Sequence, residues 1–174
     1  APARSIARDA DLYVDRLVSS CNTLGATVLV AHMSRYYLDL NRAPEDYDGL
    51  AVDGGRGRDA PHGLVWHRTT DGERAVEAPV SRAELKRRMD RLYHPYHQTL
   101  SQLIQQVYTV FGYAVILCAH SMPSIGRNAL GLEEARADVV PGTRGQSSAA
   151  RAYIQAVERV TREHGLTLRH DDPY

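Results

Sequence analysis

Apolar and polar positions along the chain alternate in two rhythms, one helical and one strand-like. Between Asp9 and Leu24, residues Leu17, Val18, Cys21 and Leu24 share one helical face and Gly25 supplies a stop, which predicts a helix. Thr27-Val28-Leu29-Val30-Ala31 predicts a short buried strand. Residues 43–79 are rich in Gly, Asp, Arg and Pro, with weak strand character at Leu64-Val65-Trp66, and read as a surface excursion, a lid or a β-hairpin. Ser81-Arg82-Ala83-Glu84 is a capping box opening a long helix through Leu85, Met89 and Leu92. That helix is disturbed at Pro95 and resumes through Leu100, Leu103, Ile104 and Val107. Val115-Ile116-Leu117-Cys118-Ala119 predicts a second buried strand, delivering His120 to its C-terminal end before a Ser-Met-Pro-Ser loop. A Gly-rich loop at 140–145, a helix near 148–164 stopped by Gly165, and a strand at Leu166-Thr167-Leu168 complete the series. Helices interleaved with apolar strands predict one α/β layered domain around a mixed, largely parallel sheet.

Composition narrows this picture. At 174 residues and 43% hydrophobic, the chain can bury one core. Lys+Arg 21 against Asp+Glu 21 leaves a formal net charge of +0, which excludes a general field for nucleic acid or anionic membrane. No apolar run reaches the roughly 20 residues of a membrane span, and no basic-then-apolar segment opens the chain. Cys21 and Cys118 read as small core residues of a reducing, cytoplasmic setting rather than as a disulfide. Cys-x-x-Cys, P-loop and Gly-x-Gly-x-x-Gly strings are absent, which argues against zinc-ribbon, nucleotide and redox roles.

The candidate chemistry is that of a metal-dependent hydrolase acting on a small acidic substrate. His120 fits a metal ligand or catalytic group at a strand end, or else a hydrogen-bonded core histidine. Asp11 and Asp15 are four apart on one helical face, and suit either metal ligation or a helix start favoured by the macrodipole. Asn41 and Arg42 suit a carboxylate, which an arginine fork binds bidentately, or else an N-cap-like turn with a solvated arginine, while Asp39 could orient Arg42 or Arg35. Arg35 and Arg144 are the candidates for a second carboxylate, and the loop amides around Arg144 could take an anion or form a plain turn. His94 and His97 flank Pro95 and read as a packed helix bend; His32, His62, His67, His164 and His170 read as surface or structural. Ser121 lacks a Gly-x-Ser-x-Gly elbow, so it is not assigned as a nucleophile.

Four stretches carry a resemblance, in order: Asp11-Leu12-Tyr13-Val14-Asp15-Arg16-Leu17, Ser34-Arg35-Tyr36-Tyr37-Leu38-Asp39-Leu40-Asn41-Arg42, Tyr93-His94-Pro95-Tyr96-His97 and Ala119-His120-Ser121-Met122-Pro123-Ser124. Fainter echoes lie at 138–145 and 172–174. In these motifs the chain resembles the N-formylglutamate amidohydrolase (deformylase) family, in the broader zinc-carboxypeptidase and aspartoacylase-like group. The resemblance implies a three-layer α/β/α sandwich of the zinc-exopeptidase kind, a Zn2+ cofactor held in part by Asp11 and His120, and a small acidic N-acyl amino acid as substrate. The implied reaction hydrolyses the amide of N-formyl-L-glutamate to formate and L-glutamate. Family members also carry an upstream Ser-Pro-His-Ser-Gly strand, whose His is a metal ligand, and a later strand with a glutamate general base. The chain holds neither, so the expectation is either a fragment of a longer protein or a protein without half of its site. Alternatives are another zinc amidohydrolase, aspartoacylase-like or peptidoglycan-amidase-like, and a non-catalytic module binding small acidic ligands.

Overall fold

The longest element begins where the local code is strongest. In the computed structural model, described here for residues 3–55, 60–127 and 132–172, the Ser81 hydroxyl accepts the Glu84 amide at 3.2 Å and starts helix α3, Arg82–Arg88. Only half of the capping box forms, because the Glu84 carboxylate turns instead to Arg87 at 2.7 Å and Arg88 at 2.8 Å. A π-helical turn, Met89–Tyr93, follows and runs into α4, His94–Phe111. Pro95 has no N–H to give the preceding turn, and one wider turn absorbs that mismatch without ending the helix. The expected disturbance is therefore a change of helical register.

The chain forms two compact units, Ala1–Ser121 and Met122–Tyr174. In the first, α1 (Ala3–Asp9) ends where the expected helix from Asp9 to Leu24 would begin, and that span holds only α2 (Val14–Leu17) and a 3-10 turn (Ser19–Leu24). Tyr13 sits at φ 64 between α1 and α2, a left-handed position that interrupts the helix, and Gly25 at φ 88 provides the expected stop.

The core of this unit lies where a surface excursion was expected. Leu38, Ala51, Val52, Leu64, Val65, Leu85 and Tyr93 are buried together, and most of them belong to residues 38–65. The turns enclosing them are wired by polar groups. Asp48 accepts the amides of Leu50 (2.9 Å), Ala51 (3.0 Å) and Ala60 (2.7 Å), and Val80 is tied to Ala51 and Asp53 through its own N–H and C=O. Among the described residues, the β-hairpin reading comes down to two isolated antiparallel bridges, His62 with Trp66 and Arg68 with Arg74.

The two expected buried strands are not strands here. Among the described residues no backbone hydrogen bond reaches 27–33 or 113–119, and Val115, Ile116 and Leu117 are 55%, 55% and 80% exposed. An extended run becomes a strand only when a neighbour pairs with its backbone. Cys118 is accordingly exposed rather than a core residue, while Cys21 is half-buried.

In the second unit, β1 (Ile125–Arg127) pairs antiparallel with β2 (Glu133–Ala135). Helix α5, Arg151–Glu163, lies inside the expected span and ends just before Gly165. The expected strand at 166–168 amounts to one parallel bridge, Val139 with Leu168, beside an Asp138 carboxylate that accepts the Thr167 amide at 2.8 Å. The chain is thus mixed helix and sheet. Among the described residues its sheet is a single antiparallel pair, with parallel pairing limited to the bridges Val52–Val80 and Val139–Leu168. None of the described helices is long and apolar enough to cross a membrane.

Candidate functional site

Asp11 lies in the turn after α1 rather than on a helix, because α1 ends at Asp9. The turn aims its carboxylate at three donors from distant parts of the sequence. Oδ2 accepts from Arg35 Nη2 at 2.6 Å and faces His120 Nδ1 at 3.1 Å, while Oδ1 accepts the Ser121 amide at 3.0 Å. Asp15, expected on the same face, is exposed in α2.

The electrostatics follow from this arrangement. Burial pushes the Asp11 carboxyl upward, but the His120 and Ser121 hydrogen bonds and the Arg35 charge outweigh it, so it is held below the ordinary carboxylate value. The hydrogen bond to Asp11 raises His120 above the ordinary imidazole value, against the opposing effects of burial and Arg35. Asp39 adds to that rise from farther off. The His120 side chain is 51% exposed, and Nδ1 is the ring nitrogen turned toward Asp11. A carboxylate on one nitrogen fixes the tautomer and leaves the other, Nε2, for a ligand or proton.

A second cluster forms at 39–42. Asp39 is buried; its Oδ1 accepts the Asn41 amide at 2.9 Å, and its Oδ2 accepts the Trp66 indole N–H at 2.9 Å. Arg42 Nε stands 3.9 Å from the same oxygen, with the side chain 43% exposed. Of the two arginines that Asp39 could orient, Arg42 stands at this ion-pair distance from it, whereas Arg35 pairs with Asp11. Three helix side chains hold the backbone of the segment. Arg88 donates to the Tyr37 carbonyl at 2.7 Å, His97 Nε2 to that of Leu40 at 3.0 Å, and Tyr93 Oη to that of Arg42 at 2.8 Å. The Tyr93-His94-Pro95-Tyr96-His97 motif is thus a packed bend that grips the Asn41–Arg42 turn.

Arg144 belongs to the second unit, where it is exposed at φ 51 in a tight turn. The amides that could have taken an anion there already bind Asp171, which accepts the Thr143 and Gly145 N–H groups at 2.5 and 3.0 Å. The plain turn is the reading that holds for those amides.

Sequence reasoning missed Trp66. It is 3% exposed, lies 4.4 Å from the tilted His62 ring and 5.6 Å from Tyr36 in a T-shaped contact, with its ring 5.4 Å from the Arg35 guanidinium carbon. As the chain's one tryptophan, set among Gly and Asp, it was the available signal. Tyr36 was missed too: its hydroxyl donates to the buried Asp9, which also receives Thr70, and this pins the start of the Asp11 turn.

Asp11 and His120 could each give a donor to a metal. No group of three or more His, Cys, Asp or Glu suited to a metal occurs among the described residues.

Comparison with known proteins points in one direction. The model of the N-formylglutamate amidohydrolase family matches residues 1–174. N-formylglutamate deformylases of Pseudomonas aeruginosa and Pseudomonas putida are each 34% identical, over 119 and 124 residues. Those matches cover 67% and 70% of this chain but 42% and 43% of the relatives, so the matched stretch spans under half the length of these curated relatives. A crystal structure of N-formylglutamate amidohydrolase from Ralstonia eutropha JMP134 superposes with a TM-score of 0.88 at 30% identity, covering 100% of this chain and 66% of that one. With the motif residues gathered as described, the chain belongs to the N-formylglutamate amidohydrolase family.

Proposed function

We propose that this chain forms part of the active region of a metal-dependent amidohydrolase that cleaves N-formyl-L-glutamate, or a close N-acyl amino acid, to formate and the free amino acid. The observation that carries the reading is the Asp11–His120 pair, 109 residues apart in sequence and braced by Arg35 and the Ser121 amide. The substrate class comes from the relatives, which are N-formylglutamate deformylases. The three-layer α/β/α arrangement around a mixed, largely parallel sheet belongs to the same proposal.

The donor chemistry fits a zinc site only in part. His120 and Asp11 are two ligand-type side chains where a hydrolytic site needs about three, and Asp11 could ligate only by giving up its hydrogen bond to His120 Nδ1, so the reading requires further donors from outside the described residues. When bound, zinc would supply a water acidified toward neutral pH and a polarised carbonyl. The chain's own residues have separate tasks. Arg35 and the Ser121 amide keep Asp11 charged and in place, and Asp11 holds the His120 ring with one nitrogen outward. Arg42, beside Asn41, takes a substrate carboxylate through its planar fork. Arg35 would meet a second carboxylate, with a smaller share because it is already paired with Asp11.

Formate release from the complete gene product, with and without chelator, tests the reading. Chelation is expected to abolish turnover and zinc to restore it; turnover that survives chelation would refute it. His120→Ala should lose both metal retention and turnover. Arg42→Ala should raise KM strongly, since a lost fork to a desolvated carboxylate costs about 2–5 kcal/mol. An unchanged KM would remove the clamp. The scarcity of donors among the described residues favours one second reading, a binding module for small acidic ligands, which tight binding without turnover would establish.

A further inference from the structure

Two clusters make up the site, and the Trp66 side chain touches both. We propose that Trp66 is a positioning residue: its indole N–H fixes the Asp39 carboxylate that holds the Asn41–Arg42 turn, while its ring carries the Arg35 guanidinium that braces Asp11. The inference rests on reading Arg42 as the carboxylate clamp.

The geometry separates backbone anchoring from side-chain orientation. Arg88, His97 and Tyr93 hold carbonyl oxygens of residues 37, 40 and 42, and so fix the path of the chain. None of those bonds sets the direction of the Asp39 carboxylate, which stands between the Asn41 amide and Arg42. Trp66 does so at 2.9 Å, from a ring locked by His62 and Tyr36. A buried carboxylate that loses a donor must turn to find another; the charge in reach is the Arg42 guanidinium, 3.9 Å from the released oxygen, and a swing toward it loosens the bond to the Asn41 amide. On the opposite flank, the Arg35 guanidinium carbon lies 5.4 Å from the indole centroid, within cation–π range, with Nη2 2.6 Å from Asp11. An indole serves both purposes at once, whereas a phenyl ring keeps the second and gives up the first.

Trp66→Phe therefore isolates the donor. Amide hydrogen exchange reads the link directly, because the Asn41 amide is bound to Asp39. Its exchange should quicken about tenfold, as expected for a weakened charge-assisted hydrogen bond, while the Val52 and Leu64 amides of the core stay protected. Asp39→Asn, which weakens the same bond from the other end, should quicken it similarly, and the double variant should do little more. In the complete gene product, Trp66→Phe should raise KM for N-formyl-L-glutamate about tenfold with kcat within about threefold, and on an Arg42→Ala background it should move KM less than about twofold. Unchanged Asn41 exchange overturns the proposal, as does quickening spread through the core or a KM effect that multiplies with that of Arg42→Ala. If Arg42→Ala alone leaves KM unchanged, the clamp reading is what fails, and the Trp66–Asp39 link is then decided by Asn41 exchange.

Discussion

Residues 43–80 and residues 113–119 exchange the roles that their compositions suggest. The first segment is turn-rich and polar, yet Val52, Leu64 and Val65 within it are 0% exposed. The second is a nearly continuous apolar run, yet Leu117 is 80% exposed. The difference lies in the backbone. Burying a chain means burying N–H and C=O groups, and each needs a partner. Asp48 supplies three such partnerships, and the Val80 and Ala75 amides close others on Ala51 and His67. Gly63 lets the turn come so near Asp46 that an added Cβ would stand 2.1 Å from its carbonyl oxygen. The polar and glycine residues that make the segment look like a surface loop are what allow it to be a core. Residues 113–119 have apolar side chains and, among the described residues, no backbone partners.

Substitution can break this contrast, and the largest effect should come from Asp48→Ala. Three amides lose their acceptor together, for a loss of about 3 kcal/mol or more in denaturant unfolding of the first unit. A cost under about 1 kcal/mol would show that water replaces the carboxylate and that the wiring is dispensable. Leu64→Ala should cost about 2–5 kcal/mol by the same measurement, since its side chain is fully enclosed. Acid should act on the wired segment next. Burial raises Asp9 and Asp48, but their hydrogen bonds outweigh it and hold both below the ordinary carboxylate value. Groups lowered on folding contribute stability that is complete above the unfolded value of about 4 and disappears as pH falls through the folded values. The urea midpoint should accordingly drop below about pH 4, and Asp9→Asn should flatten that dependence; a midpoint level down to pH 2 would contradict it. Smallest of all, Leu117→Ala should change stability of this chain by no more than about 0.5 kcal/mol, the same substitution as at Leu64 with almost none of its effect.

What could be read from the sequence follows the range of each interaction. The start of α3 was legible because Ser81 and Glu84 are three residues apart and their bond is local. The end of α5 near Gly165 was legible for a similar reason. The meeting of Asp11 and His120 was reached through the order of family motifs, since nothing in spacing brings together residues 109 positions apart. Trp66 and Asp39 are 27 apart, and neither position carries a pattern that names the other. The helix from Asp9 to Leu24 was overread because periodicity does not register the left-handed Tyr13. Strands at 27–31 and 115–119 were expected on apolarity alone, which reports a preference for burial and is silent on what pairs with the backbone.

The π turn at Met89–Tyr93 has a consequence for how this helix can change over time. Each residue advances a helix by about 100°, so one extra residue in a turn sets the azimuth of everything beyond it. Tyr93 and His97, four apart, point at the Arg42 and Leu40 carbonyls only in the phase that this turn sets. Point substitutions along α4 leave that phase intact, whereas deleting one residue from 89–93 would swing His97 about 100° away from the loop it holds. Here the helix tolerates changes of letter far better than changes of length.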